Sequence, residues 1–179
     1  MRPRGRFRGA LVGMLMGIGI AATILSLAGW SVSSSTAAEA VTPAGTVLVI
    51  DGTITGGKPA AFDLAMLKSL PVTRVTTMTP WTDGENLFEG VRLRDLLARL
   101  GAQGNAVLAD AVDDYAVKIP MEDIRDYDVI VAYAMNGKPL PADDKGPLWV
   151  IYPYSEYSGL QKDLYFSRSV WQLNRLTVQ

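Results

Sequence analysis

Short apolar, β-branched segments separated by turn residues recur along most of this chain and constrain its fold more than any other feature. Residues 46–50, 72–78 and 128–135 are typical of strands, and the Asn136-Gly137 pair after the third predicts a tight turn. Further strands are predicted at residues 106–112, 115–119, 148–152 and 170–178. The chain is therefore expected to be dominated by strands.

The helix patterns are few and short. Residues 62–70 are predicted to be helical, with Asp63 as the N-cap, and residues 120–126 form a helical turn. Residues 91–100 carry leucines at positions i, i+3, i+4 and i+7 before Gly101, which predicts an amphipathic helix. Residues 79–90 are predicted to be a loop. Because this order is not a repeating βαβ, we expect an α+β domain with a mixed, mostly antiparallel sheet and short helices.

The N-terminus has the layout of a secretory signal peptide. Four arginines precede an uncharged run from Ala10 to Trp30, and small residues follow up to Ala40. We therefore expect residues 1–40 to be a signal peptide and residues 41–179 to be a single domain in the periplasm or another extracytoplasmic space. Without an adjacent Arg-Arg pair, a Sec-type route is favoured. An uncleaved inner-membrane anchor is the alternative, since the apolar run is long enough to span a membrane.

The composition excludes several kinds of chemistry. The chain has no cysteine and no histidine, so disulfides, cysteine nucleophiles and a Ser-His-Asp triad cannot form within it. Removing the four leader arginines from 17 basic residues leaves 13 against 18 acidic residues, a net charge of −5. A nucleic-acid partner is therefore not expected, because it would require a basic face.

An aromatic stretch provides the first candidates for a binding cleft. Trp149, Tyr152 and Tyr154 lie close together in the sequence, and Trp81 could form the opposite wall. Buried tyrosine and tryptophan side chains need hydrogen-bond partners, so such clusters often line clefts, although packing in the core is the alternative. Two acidic pairs, Asp113-Asp114 and Asp143-Asp144, are more typical of solvated turns than of a cation site.

Several segments together resemble a known family. In chain order they are GTITGG, FDLAMLKSLP, VTTMTPWTDGENLFEGVRLRDLL, DDYAVKIPMEDI, VIVAYAMNGKPLPADDKGPLWVIYP and SVWQLNRLTV. Each is weak alone, but their order and spacing resemble the oxidoreductase molybdopterin-binding domain, which has the sulfite oxidase fold. The resemblance covers nearly all of the chain after the leader. It implies a mixed-sheet α+β fold, whose enzymatic members hold a molybdopterin cofactor in a cleft above the sheet.

The chain departs from the family pattern at two separate positions. The resemblance implies a cysteine thiolate on molybdenum just after the Thr-Thr strand, where this chain has Thr79 and Pro80. Neither side chain replaces a thiolate as a soft ligand. The resemblance also implies a lysine-tryptophan pair at the phosphate end of the pterin, where this chain has Trp171-Gln172. We therefore expect no molybdenum cofactor, with bound molybdopterin as the alternative.

These observations predict an exported ligand-binding, partner-binding or sensory module without molybdenum redox activity. The alternatives are a molybdopterin-dependent oxidoreductase without a cysteine ligand and a structural subunit of an envelope complex. Expected partners are a small ligand or a membrane-bound sensor or other envelope protein. The candidate cleft residues are Thr79, Trp81, Asp114, Tyr115, Trp149, Tyr152, Tyr154, Lys162 and Arg168.

Overall fold

The computed structural model describes residues 44–179, and the predicted signal peptide lies outside these residues. The strands are β1 (Thr46–Gly52), β2 (Ala60–Asp63), β3 (Val72–Thr79), β4 (Thr82–Arg92), β5 (Ala106–Ala111), β6 (Ala116–Pro120), β7 (Ile130–Met135), β8 (Lys138–Pro139), β9 (Trp149–Ile151) and β10 (Leu173–Val178). The helices are α1 (Leu64–Ser69), α2 (Leu93–Arg99), α3 (Met121–Asp126) and α4 (Asp163–Ser167), with a 3-10 turn at Ser158–Leu160. No helix within residues 44–179 is long and apolar enough to span a membrane.

The strands form two five-stranded sheets. One has the order β2-β1-β10-β5-β6, and the other has the order β3-β4-β7-β8, with β9 also paired to β7. The pairing of β1 with β10 is parallel, and every other strand pair is antiparallel. The predicted α+β class, with short helices and mostly antiparallel pairing, is confirmed. The strands divide between two sheets, whereas the sequence predicted one.

The segment predicted to be a loop at residues 79–90 is mostly strand. Thr79 pairs with Thr82, so the connection between β3 and β4 is only the Pro80-Trp81 turn. The segment contains residues typical of turns, but every second residue from 86 to 90 is buried, as in a strand: Asn86, Phe88 and Gly90. β4 is a central strand, paired with both β3 and β7.

Gly90 allows β7 to lie close to β4. A Cβ atom at this position would be 2.2 Å from the carbonyl oxygen of Val131, which is closer than real atoms approach. A glycine in a strand interior often marks such a close approach of another backbone. The glycine therefore favoured a turn prediction, whereas in the structure Gly90 lets the central strand β4 pack closely against β7.

The helix ends follow the sequence signals. The Asp63 side chain accepts a hydrogen bond from the Met66 backbone N–H at 2.7 Å and caps α1 as predicted. Gly101 follows α2 with a φ of +58°, a left-handed conformation that suits glycine. The leucine face of α2 is buried at Leu93, Leu96 and Leu97, but the helix begins at Leu93, because residues 91–92 complete β4.

Leu97→Ala should lower the free energy of unfolding by at least about 2 kcal/mol, because it leaves a cavity in the main core. Leu97 is 3% exposed and belongs to the main cluster of buried apolar residues. Chemical denaturation monitored by circular dichroism measures the change. Leu164→Ala is the matched control, since Leu164 is 54% exposed. Equal midpoints for the two variants would contradict the packing of α2.

A second, smaller apolar cluster lies apart from the main core. It contains Val75, Phe88, Ile130, Ala132, Leu140, Trp149 and Ile151. Trp81, Met135 and Trp171 are partly buried and pack against it. Two of these three residues, Trp81 and Trp171, also line a groove on the surface.

Candidate functional site

The groove has a volume of about 370 Å³ and lies where three segments meet. Trp81 comes from the β3–β4 turn, Asp113 and Tyr115 come from the β5–β6 connection, and the remaining lining residues belong to α4 and the segment that precedes β10. Those remaining residues are Asp163, Phe166, Ser167, Ser169, Val170 and Trp171. The volume is within the usual range of small-molecule sites, roughly 300–1,000 Å³.

Trp81 is held by a set of edge-to-face aromatic contacts. Its ring centroid lies 5.5 Å from that of Trp171, 5.8 Å from that of Trp149 and 6.0 Å from that of Phe166. Its backbone N–H donates to the Thr79 hydroxyl at 3.3 Å. The tip of the β3–β4 hairpin is therefore a fixed wall of the groove.

The β5–β6 connection places Tyr115 and Asp113 on another side of the groove. Asp114 has a φ of 65°, which turns the chain, and the Asp113 side chain accepts from the Tyr115 backbone N–H at 3.2 Å. The Tyr115 hydroxyl donates to the Ser167 carbonyl oxygen at 2.7 Å. This bond ties the connection to α4 and leaves the tyrosine side chain substantially exposed.

Buried aromatic residues support the groove from below. The Trp149 indole N–H donates to the Ser169 carbonyl oxygen at 3.2 Å, and a backbone bridge pairs Trp149 with Trp171. The Tyr154 hydroxyl is hydrogen-bonded to the Ser169 hydroxyl at 2.5 Å and donates to the Tyr165 carbonyl oxygen at 3.1 Å. Together these bonds fix the segment that supplies most of the lining.

A buried ion pair anchors the end of α4. Arg168 donates to the Asp123 carboxylate at 2.7 Å, and the Tyr152 hydroxyl donates to the same oxygen at 2.9 Å. The side chains of Arg168 and Asp123 are 13% and 9% exposed, and Tyr152 is fully buried. Because all three groups are shielded from water, each depends on the others for its hydrogen bonds.

The phenols beneath the groove remain neutral at ordinary pH. Burial and, secondarily, the negative charge of Asp123 raise the pKa of Tyr152 far above its ordinary value. Burial also raises the pKa of Tyr154, and the hydrogen bond with Ser169 offsets only part of that increase. Both tyrosines therefore act as fixed hydrogen-bonding groups rather than as acids or bases.

The structure brings only two of the nine candidate cleft residues into the groove lining, Trp81 and Tyr115. The three aromatic candidates of the stretch after β8 lie beneath it, and each is at most 1% exposed: Trp149, Tyr152 and Tyr154. These three residues are therefore part of the core, which was the alternative to lining a cleft, and their polar atoms have hydrogen-bond partners inside the protein. The other four candidates lie outside the lining: Thr79, Asp114, Lys162 and Arg168.

Sequence reasoning missed most of the lining residues. Asp113 was predicted to be a solvated turn residue, and no helix was predicted for the segment that forms α4. The available signal was that Phe166 and Trp171 flank two serines and an arginine, so that aromatic and polar side chains lie close together there. That signal could not show that the segment faces Trp81, because the two are about 90 positions apart in the chain.

The charge of the groove does not suit a phosphate-bearing cofactor such as molybdopterin. Of the described residues that line it, two are acidic and none is basic. Two neighbouring cations have other partners: Arg168 binds Asp123, and Lys145 binds Asp144 at 2.8 Å. Lys162 precedes Asp163 but is not part of the lining. A phosphate dianion is usually bound by arginine, lysine or a series of backbone N–H groups. Here it would instead face two carboxylates.

The residues at the implied metal-ligand position do not suit molybdenum either. Thr79 is 8% exposed, and its hydroxyl shares a hydrogen bond of 2.8 Å with the Thr82 hydroxyl. Pro80 is exposed and has no donor atom in its side chain. Within residues 44–179, no three acidic side chains converge in a way that could hold a metal ion.

Comparison with known proteins gives consistent matches. Residues 38–179 match the family described as oxidoreductase molybdopterin binding domain. The chain is 29% identical over 79 residues to the uncharacterized oxidoreductase YuiH of Bacillus subtilis (strain 168), a match that covers 43% of this chain and 40% of that protein.

The fold is similar to that of the sulfane dehydrogenase SoxCD from Paracoccus pantotrophus. The TM-score is 0.58 at 23% sequence identity, and the match covers 73% of this chain and 37% of that one. This chain thus spans about two fifths of the length of both relatives. At this identity the structural likeness shows the fold alone.

Proposed function

This chain belongs to the oxidoreductase molybdopterin-binding domain family, as its motifs predicted, and we propose that it is a non-catalytic member. In this proposal it is an extracytoplasmic module that binds a small ligand in the groove beside Trp81 and serves in sensing. One observation carries the proposal. Trp81, which directly follows the implied metal-ligand position at Thr79 and Pro80, borders a groove with aromatic walls and two carboxylates, without a soft ligand or a basic residue among the described residues that line it.

The hydrogen bonds around the groove support a binding role. The Tyr115, Tyr154 and Trp149 donors all have partners within the protein. Their bonds hold the lining in one arrangement, and the pKa shifts of the buried tyrosines keep those groups out of proton transfer. A preorganised cavity without an available acid–base pair suits recognition better than catalysis.

The predicted export route supports the same proposal. Without an Arg-Arg pair in the leader, a Sec-type passage would carry the chain across the membrane unfolded. An unfolded chain cannot carry a cofactor that was inserted in the cytoplasm. The partners we propose are a small ligand and a membrane-bound sensor or other envelope protein that responds to it.

Family membership favours one alternative, a molybdopterin-dependent oxidoreductase that retains its cofactor without a cysteine ligand. The dithiolene sulfurs belong to the cofactor, so binding without a protein thiolate is chemically conceivable. This alternative requires the groove to accept a phosphate beside Asp113 and Asp163. Molybdenum content separates the two functions directly.

Protein isolated from the native envelope should contain molybdenum far below one atom per chain, measured by mass spectrometry of the metal. Thr79→Cys and Pro80→Cys, made separately, should remain equally free of molybdenum, because a restored thiolate does not remove the acidic lining. Thr76→Cys is the matched control, since it adds an exposed thiol on the same strand. Near-stoichiometric molybdenum in the unsubstituted protein, together with turnover of a redox substrate, would establish the enzyme instead.

A further inference from the structure

Among the described residues, four aromatic rings from three segments line the groove: Trp81, Tyr115, Phe166 and Trp171. The planes of Phe166 and Trp171 each make an angle of 78° with that of Trp81, so these rings are not a parallel stack. Together with Tyr115 they line a cavity of about 370 Å³. The face of an aromatic ring carries partial negative charge and attracts a cation within about 6 Å of its centroid. A concave arrangement of rings is the usual form of a site for alkylated ammonium groups.

The two carboxylates of the lining also favour a positively charged ligand. Neither Asp113 nor Asp163 takes part in an ion pair with another described residue. Asp113 accepts one backbone hydrogen bond, from Tyr115, and its other carboxylate oxygen has no donor among the described residues. The negative potential of the groove is therefore not neutralised by a basic partner and attracts a positively charged ligand.

The hydroxyl groups of the lining are all engaged in hydrogen bonds within the protein. The Tyr115 hydroxyl donates to Ser167, the Ser167 hydroxyl donates to the Leu164 carbonyl oxygen at 2.8 Å, and the Ser169 hydroxyl bonds Tyr154. A sugar or another polyhydroxylated ligand would find no free hydroxyl among the described lining residues, only the two carboxylates and the indole N–H groups of Trp81 and Trp171. An ammonium carrying alkyl groups needs ring faces and negative charge, and the groove offers both.

One ammonium of the protein lies close to Trp171, a ring of this cluster, and to Trp149 beneath it. The Lys145 ammonium lies 5.8 Å from the centroid of the Trp171 ring and 6.0 Å from that of Trp149. Asp144 holds it at 2.8 Å, and Lys145 is not part of the groove lining. The position of Lys145 shows that these rings accommodate an ammonium, while the groove itself remains open to a ligand.

We propose that the groove binds a small, free organic cation of the alkylated ammonium class. The proposal rests on the binding function proposed above and specifies its ligand. The rings of Trp81, Phe166 and Trp171 would contact the alkyl groups. Asp113 and Asp163 would supply the opposite charge.

The test compares choline with 3,3-dimethylbutan-1-ol, an uncharged compound of the same shape. Both are titrated into the exported protein and followed by calorimetry and by the fluorescence of its tryptophans. Choline should bind at least about tenfold more tightly than the alcohol, because the shape is shared and only the charge differs. Its affinity should fall as the salt concentration rises.

Asp163→Asn should weaken choline binding by about threefold or more and leave the affinity for the alcohol unchanged. Asp126→Asn is the matched control: it makes the same change of charge on an exposed residue outside the groove and should alter neither affinity. Both positions are on the surface, so neither substitution is expected to unfold the protein. A similar loss in both variants would mean that net charge, rather than the groove, governs binding.

Three results would overturn the proposal: equal binding of choline and the alcohol, tighter binding of inorganic phosphate than of choline, or no binding of choline. Phosphatidylcholine vesicles provide the same headgroup from a membrane, and co-sedimentation with them in the absence of choline binding would overturn the free-ligand form. None of these results depends on molybdenum content. The proposed ligand class and the proposed non-catalytic function can therefore fail separately.

Discussion

Asp123→Ala is expected to lower the free energy of unfolding by about 3–5 kcal/mol, because it removes the shared partner of two buried groups. The Asp123 carboxylate accepts from both Arg168 and Tyr152, and all three side chains are almost fully shielded from water. Without it, a buried guanidinium loses its counter-charge and a buried phenol loses its acceptor. Chemical denaturation near neutral pH measures the loss.

The matched control is Glu89→Gln in the exposed pair between Arg74 and Glu89. Arg74 is 61% exposed in that pair, so solvent screens the interaction and the expected change is at most about 1 kcal/mol. Asp123→Asn separates charge from hydrogen bonding, since it retains one acceptor oxygen. If Asp123→Ala destabilised the protein no more than Glu89→Gln, the proposed anchoring of α4 would be wrong.

Alkaline pH should unfold the protein steeply, because Tyr152 and Tyr154 are protonated in the folded state well above the pH at which free tyrosine ionises. An unfolded chain loses both phenolic protons above about pH 10, whereas burial raises both pKa values in the folded protein. The unfolded state then binds fewer protons, so stability falls as pH rises. Below about pH 10 this contribution to the free energy of unfolding is fully present. Above that pH it falls by about 1.4 kcal/mol per pH unit for each phenol, so the two phenols together cost about 4 kcal/mol by about pH 11.5.

Urea denaturation at a series of pH values from neutral to alkaline measures this slope. Tyr154→Phe should make the slope clearly shallower, because it removes one of the buried phenols whose pKa is raised by burial. Tyr115→Phe is the control, since it removes a hydroxyl from a side chain that is 44% exposed. A slope that is the same in Tyr154→Phe and in the unsubstituted protein would show that this phenol is not buried in the way described.

These two experiments concern the support of the groove rather than its lining. Arg168 lies between Ser167 and Ser169, which both contribute to the lining, and Ser169 is also the partner of Tyr154. Loss of the anchor at Asp123 or of the bonds to Tyr154 would allow this segment to move. We therefore expect the affinity for choline to fall in any Asp123 variant that remains folded, although Asp123 does not touch the ligand.

The sequence by itself determined most of the secondary structure where local signals were strong. The leucine spacing of α2, the Asp63 cap and the Gly101 stop are local patterns, and the structure contains all three. The Asn136-Gly137 turn is also present, with both residues at positive φ. Local periodicity and turn chemistry suffice for such elements because they involve residues that are near in the chain.

Local signals failed where long-range packing decided the outcome. β4 contains residues typical of turns, yet it is a strand because β3 and β7 pair with it on both sides. The two-sheet arrangement likewise depends on pairings such as that of β1 with β10, at opposite ends of the described chain. A periodic pattern specifies an element and its buried face but not the neighbour it meets.

The family and its missing thiolate could be read from the sequence, because motif order and the absence of cysteine need no coordinates. The groove could not be read in this way, since Trp81, Asp113 and Trp171 meet only through long-range contacts. The sequence alone also left open whether each aromatic residue forms a wall or part of the core, because a tyrosine or tryptophan suits both places. The tertiary structure decided between wall and core for each residue. Tyr152 and Tyr154 have buried hydrogen-bond partners and belong to the core, whereas Trp81 and Tyr115 line the groove.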